Sequence, residues 1–179
     1  FEVGRWAILF PIDAEKVYKS RVTELPKNLQ ERIKFRETHL KEYQSDNLAK
    51  RYIDFVSRFS GTFLEDAVAE GYHKVLAYKD EYEVARLHTN TISKLREEFD
   101  GELKITYHLA PPVLSKLGND GRAMKKEYGY FMGNAFKVLR KMKFLRGTYF
   151  DAFGYSKERK MERALIDLYE QDLGALVNS

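Results

Sequence analysis

The chain has 179 residues, 44% hydrophobic and 32% charged, with 31 Lys and Arg against 27 Asp and Glu for a net charge of +4. These proportions fit one globular domain with a sizeable core and exclude a disordered segment. With no cysteine the chain forms no disulfide and offers no thiolate to an iron–sulfur cluster or structural zinc, and the cytoplasm is the expected compartment. No run approaches the roughly 20 apolar residues of a membrane helix, so no membrane partner is expected. The apolar start FEVGRWAILF is interrupted by an acid and a base, unlike a secretory signal. A chain beginning at Phe1 rather than Met reads as part of a longer polypeptide.

Pro11 and Asp13 break the apolar start, and Asp13 caps an expected short helix over 13–21. Pro26 suits the first turn of the next helix. From 27 to about 59 no Pro or Gly intervenes. Leu29, Ile33, Leu40 and Tyr43 recur at helical spacing, and Leu48, Tyr52, Phe55, Val56 and Phe59 continue on a shifted face. The pattern predicts one long helix over about 27–59. Ser60-Gly61-Thr62 ends it, and Ser60 or Thr62 caps a second helix running to about Tyr78 or on to His88. A third covers 91–99 and stops at Asp100-Gly101.

Leu103, Ile105, Tyr107 and Leu109 alternate with polar residues and predict a strand ended by Pro111-Pro112. A turn at 118–121 and a returning strand would make a small β-hairpin of about 103–109 with 124–128. A helix over 129–142, an aromatic-rich loop over 146–155 and a last helix capped by Ser156 complete the chain. Met161, Leu165, Leu168, Leu173 and Leu176 are expected to face the core. The fold class is mostly α, a helical bundle-like domain without internal repeat or linker.

No dinucleotide-binding, P-loop, nucleophile-elbow or zinc-protease motif is present. His39, His73, His88 and His108 are scattered, so no metal site and no catalytic residue is assigned. Three segments are denser in unusual residues than a core requires. In 72–86, Tyr78, Tyr82 and Arg86 would share one helix face, with Lys79 beside Glu83. Tyr78, Lys79, Asp80, Glu81, Tyr82 and Arg86 read as a polar site or interface, or more plainly as a helix laced with ion pairs. His108, beside the Pro-Pro stop, reads as a general acid or base at a cleft edge or as a cap of the next turn.

The third segment holds the one basic cluster. Lys137, Arg140, Lys141, Lys143, Arg146, Lys157, Arg159, Lys160 and Arg163 stand against Asp151, Glu158 and Glu162. Arg146 and Arg159 are its candidates for binding a phosphate-bearing cofactor. Phe144, Tyr149, Phe150, Phe153 and Tyr155 would stack on a base or, more plainly, close the core under the loop.

Together LAYKDEYEVARL (76–87), ITYHLAPPVLSKLG (105–118) and FLRGTYFDAFGYSKERKMERALIDLYE (144–170) resemble the C-terminal domain of fused, single-chain indolepyruvate:ferredoxin oxidoreductases, as does KEYQSDNLAKRYIDFV (41–56). Residues 1–12 resemble the tail of a preceding gamma-like domain, leaving 13–179 as one helical C-terminal domain. The resemblance implies a cytoplasmic, homodimeric parent of the 2-oxoacid:ferredoxin oxidoreductase superfamily. It would decarboxylate an aryl-pyruvate oxidatively with thiamine diphosphate, magnesium and [4Fe-4S] clusters, using coenzyme A as substrate. This domain would be an accessory one, structural or shaping a cofactor entrance. The catalytic domains of the same polypeptide would be its partners, with ferredoxin or coenzyme A as candidates at the basic stretch.

The family's Gly-Asp-Gly thiamine motif and its cluster cysteines have no counterpart here, so the isolated chain is not expected to be catalytically competent. Two other readings are a stand-alone helical module gripping RNA or another polyanion with 137–163, and a small enzyme using Asp80, Glu81 and His108. The small net charge and lack of an RNA-binding motif tell against the first. The missing nucleophile and cofactor constellation tell against the second.

Overall fold

The computed structural model describes residues 26, 28–98, 105–109, 126–129 and 131–177. The tail at 1–12, the expected helix over 13–21, the Pro111-Pro112 stop and the turn at 118–121 lie outside the described residues. The chain divides into two compact units, 1–36 and 37–179. Helix α1 (Leu29–Tyr43) starts in the first, where the Asn28 side-chain oxygen accepts the Gln30 amide at 2.8 Å. All that follows concerns the second unit.

The expected helix over 27–59 is two helices. α1 stops at Tyr43, Ser45 is fully extended (φ −164°, ψ 164°), and its hydroxyl accepts the Leu48 amide at 3.3 Å to open α2 (Asp46–Val56). The apolar faces explain the break. At 3.6 residues per turn, one straight helix would set the buried Ala49, Tyr52 and Val56 roughly opposite the buried Leu40 and Tyr43. Restarting at Ser45 lets both sets enter one core.

A short 3-10 helix (Ser57–Phe59) and a turn lead to α3 (Glu65–Leu76). The expected second and third helices are redistributed. The chain leaves α3 at Ala77, and α4 (Glu81–Glu98) runs unbroken past Thr91. Asp80 sets the new boundary, its Oδ1 accepting the Glu83 amide at 2.9 Å, with Glu81 and Glu83 in the positively polarised first turn. Thr89, Thr91 and Ser93 do not break α4, because each hydroxyl returns to the carbonyl four residues earlier.

Strands β1 (Tyr107–Leu109) and β2 (Lys126–Tyr128) pair antiparallel, Tyr107 opposite Tyr128 and His108 opposite Glu127. Then come α5 (Phe131–Lys141), a second 3-10 helix (Met142–Leu145) and α6 (Lys157–Val177). Ser156 caps α6 as expected, accepting the Arg159 amide at 3.2 Å. The fold is mostly α. Among the described residues no helix is long and apolar enough to cross a membrane.

The core is rich in tyrosine, and the buried hydroxyls find acceptors. Tyr43 donates to the Tyr78 carbonyl at 2.8 Å, Tyr52 to the Ala69 carbonyl at 3.1 Å and Tyr72 to the Glu170 carboxylate. α6 packs on α3 through Tyr169, whose ring stacks on Tyr72 at 5.8 Å over Gly71, where a Cβ would strike the Tyr169 hydroxyl. A smaller cluster of Ala85, Tyr107 and Phe136 joins α4, β1 and α5.

Of the five aliphatic residues expected to seat α6 in the core, only Leu173 is half-buried. Met161, Leu165, Leu168 and Leu176 are 60%, 47%, 51% and 57% exposed, while Ile166 is buried. Tyr169 and Glu170 hold the helix to α3 and α2 through Tyr72 and Arg51, and that contact turns the aliphatic stripe outward.

Candidate functional site: a buried charge junction and an aromatic turn

Asp80 and Arg146 meet where α1 ends and α4 begins, and they are only 2% and 4% exposed. Arg146 Nη2 donates to Asp80 Oδ1 at 2.8 Å and Nε to Oδ2, a two-pronged pair. Its Nη1 donates to the Tyr43 carbonyl at 2.7 Å, and its guanidinium lies 3.6 Å from the Tyr43 ring centre. Lys143 donates to the Lys41 and Glu42 carbonyls at 3.1 and 2.7 Å, so Lys143 of the second 3-10 helix and Arg146 just after it cap the C-terminus of α1. Burial, together with Arg146, Arg86 and Arg140, lowers the Lys143 pKa.

Next to this pair lies a second network. Arg86 donates to both oxygens of Glu83 at 2.8 Å, to Glu42 at 2.9 Å, and faces His39 at 3.2 Å; His39 in turn contacts His73 at 3.0 Å. Burial pushes the Glu83 carboxyl upward, but the hydrogen bonds and charges of Arg86 and His39 outweigh it and hold the pKa at about 2. Burial raises the Tyr43, Tyr72 and Tyr82 hydroxyls above their ordinary value, so all three stay protonated donors at neutral pH.

Two segments build the same turn, a likeness the sequence reading missed although Gly61-Thr62-Phe63-Leu64-Glu65 and Gly147-Thr148-Tyr149-Phe150-Asp151 carry it. Each follows a 3-10 helix. Gly61 and Gly147 both have φ 75°, in the left-handed region that glycine tolerates. Thr62 and Thr148 each donate to the carbonyl three residues back at 2.7 Å. Glu65 and Asp151 each accept the glycine amide at 2.8 Å. Asp151 also accepts from the Tyr82 hydroxyl at 3.1 Å, tying the second turn to α4. Phe63 and Tyr149 project from the tips, 94% and 84% exposed.

Residues 29–179 match DUF6537, a family of unknown function. The chain belongs to this family. No curated protein and no solved structure matches it.

In this DUF6537 domain the sequence candidates separate. Tyr78, Tyr82 and Arg86 do not line one helix, because Tyr78 precedes the Asp80 cap; its ring lies edge-on to Tyr43 at 6.4 Å. Glu83, expected beside Lys79, pairs with Arg86 instead, and Lys79 is exposed. Glu81 approaches Arg159 at 3.6 Å. Arg159 also binds Glu162 and the Lys79 carbonyl, and Arg146 has all three guanidinium nitrogens engaged, so both phosphate candidates face inward partners. His108 stands on β1 opposite Glu127. Of the loop aromatics, Phe153 packs edge-on against Tyr82 at 5.4 Å. Phe144, Tyr149, Phe150 and Tyr155 do not close the core but face solvent. A cleft of about 700 Å³ lies between α2, α3 and α6, lined among others by Arg51, Arg58, Tyr72 and Glu170.

Proposed function

We propose that this DUF6537 domain is the accessory C-terminal domain of a thiamine-diphosphate- and iron–sulfur-dependent 2-oxoacid:ferredoxin oxidoreductase of the indolepyruvate type. Its role is to pack against the catalytic domains of the same polypeptide. The observation that carries this role is the outward stripe of Met161, Leu165, Leu168 and Leu176 on α6. Exposed aliphatic residues aligned on one helix face mark a surface that a partner covers. The parentage rests on the resemblance of segments 41–56, 76–87, 105–118 and 144–170.

In this reading the parent's cofactors are held by its other domains. This domain has no cysteine for a cluster. Among the described residues no group of three or more His, Asp or Glu could hold magnesium. Arg146 and Arg159 already have internal partners, so neither offers a free fork to the phosphates of coenzyme A. No chemical step is therefore assigned to this chain.

Two measurements test the proposal. A Gly-Asp-Gly motif and clustered cysteines should stand in the same reading frame upstream; a frame without them overturns the parentage. Leu165→Lys with Leu168→Lys in the whole protein should lower 2-oxoacid-dependent ferredoxin reduction about tenfold or more while the domain keeps its circular dichroism. Unchanged activity and unchanged assembly would leave the stripe as ordinary surface.

A further inference from the structure

The two equivalent turns act as each other's control. The first shows what the turn itself requires: a glycine at positive φ, a threonine, an acid that returns to the glycine amide, and one residue at the tip. Around the tip it has Arg58 and a half-buried Leu64. The second puts Phe144 and Phe150 at those same places, 65% and 75% exposed, and adds an exposed Tyr155. Lys141, Lys157 and Lys160 are exposed in the same stretch, with Glu158 as the one exposed acid among them. Folding of the turn does not account for these additions.

The turn is also rigid where it presents them. Asp151 accepts the Gly147 and Phe153 amides, and the Tyr155 hydroxyl donates to the Tyr149 carbonyl at 2.6 Å. Rigid aromatic side chains lose little entropy on binding and dominate the energy of protein interfaces. The exposed Lys141, Lys157 and Lys160, close in sequence on both sides of the turn, favour a negatively charged partner.

We infer that the turn at 142–156 is a docking site for an acidic polypeptide segment that carries apolar side chains. Nucleic acid fits less well. The Tyr149 and Phe150 rings stand at 86° to each other, so they cannot both stack on successive parallel bases. Of the four arginines in 137–163 that could fork onto phosphates, three are turned inward, Arg146 to Asp80, Arg159 to Glu162 and Arg163 to the Gly154 carbonyl, and Arg140 alone is exposed, on α5. This docking does not depend on the parentage proposed above.

The test uses this chain and a fluorescein-labelled peptide of alternating Glu and Leu, read by anisotropy. Saturable binding is expected, weakened about tenfold by Tyr149→Ala with Phe150→Ala. It should be restored by Tyr149→Phe with native Phe150 and weakened by raising salt from about 50 to about 300 mM. Phe63→Ala, at the tip of the sister turn, should leave it unchanged. Absence of saturable binding, equal loss with Phe63→Ala, or tighter binding of labelled oligouridylate at the same turn would overturn the inference.

Discussion

The junction around Asp80 and the outer face of α6 are built in opposite senses. At the junction, charges lie inside: Arg146, Asp80, Arg86 and Glu83 are buried, and each is engaged by charges or carbonyls of its neighbours. On α6, Met161, Leu165 and Leu168 lie largely outside, 60%, 47% and 51% exposed. A buried charge persists only when its partner is fixed, so the junction is complete within the domain. An exposed aliphatic stripe gains nothing from water, so under the function proposed above the α6 face is where the catalytic domains would pack. One region is finished by the fold, and the other is the surface that the proposed function assigns to the catalytic domains.

The largest expected effect would break the finished region. Asp80→Asn or Arg146→Met should each lower stability in urea by about 3–5 kcal/mol, because each strands a buried partner. The double substitution Asp80→Leu with Arg146→Met should lie closer to the parent chain than either single one. If the singles cost less than about 1 kcal/mol, the pair does not organise the junction.

Glu83 should make this region sensitive to acid. Its folded pKa of about 2 lies below the ordinary 4.5, so its contribution is fully present above about pH 4.5 and is lost as pH falls through about 2. The 2.5-unit difference corresponds to about 3 kcal/mol, consistent with a side chain only 7% exposed. Unfolding midpoints measured across that range should fall steeply for the parent chain and less steeply for Glu83→Gln.

Smaller effects follow at the turns and on α6. Gly61→Ala and Gly147→Ala should cost about 1–2 kcal/mol each, because both impose φ 75° on a residue with a Cβ. A cost at one turn alone would show that the two are not equivalent. The smallest effect belongs to the unfinished face: Leu168→Ser should change stability in the isolated chain by no more than about 0.5 kcal/mol. Leu40→Ala, in the core, should cost about 2–5 kcal/mol. A large cost at Leu168 would mean that α6 is anchored by its outer stripe.

Helical content, the paired strands and the Ser156 cap were legible in residue pattern alone. The helix boundaries at Ser45 and Asp80 were less so, because both are capping residues within runs that lack Gly and Pro. A change of apolar face between Tyr43 and Leu48 was visible in the sequence, and it marks the break once one core must receive both sets. The orientation of α6 was not legible. Its two candidate faces are both partly apolar, and periodicity does not say which one meets α3.

By itself the sequence determined the mostly helical class, the lack of cysteine and the basic excess at 137–163. These depend on residue type and local spacing, which are fixed along the chain. Only the tertiary structure decided that Arg146 pairs with Asp80 across the fold, that Arg86 gathers Glu83, Glu42 and His39, and that the 144–155 aromatics face outward. The physical reason is that a charge is binding surface or internal strut according to what lies within about 3 Å of it. That neighbour is set by packing between segments as far apart in sequence as residues 80 and 146.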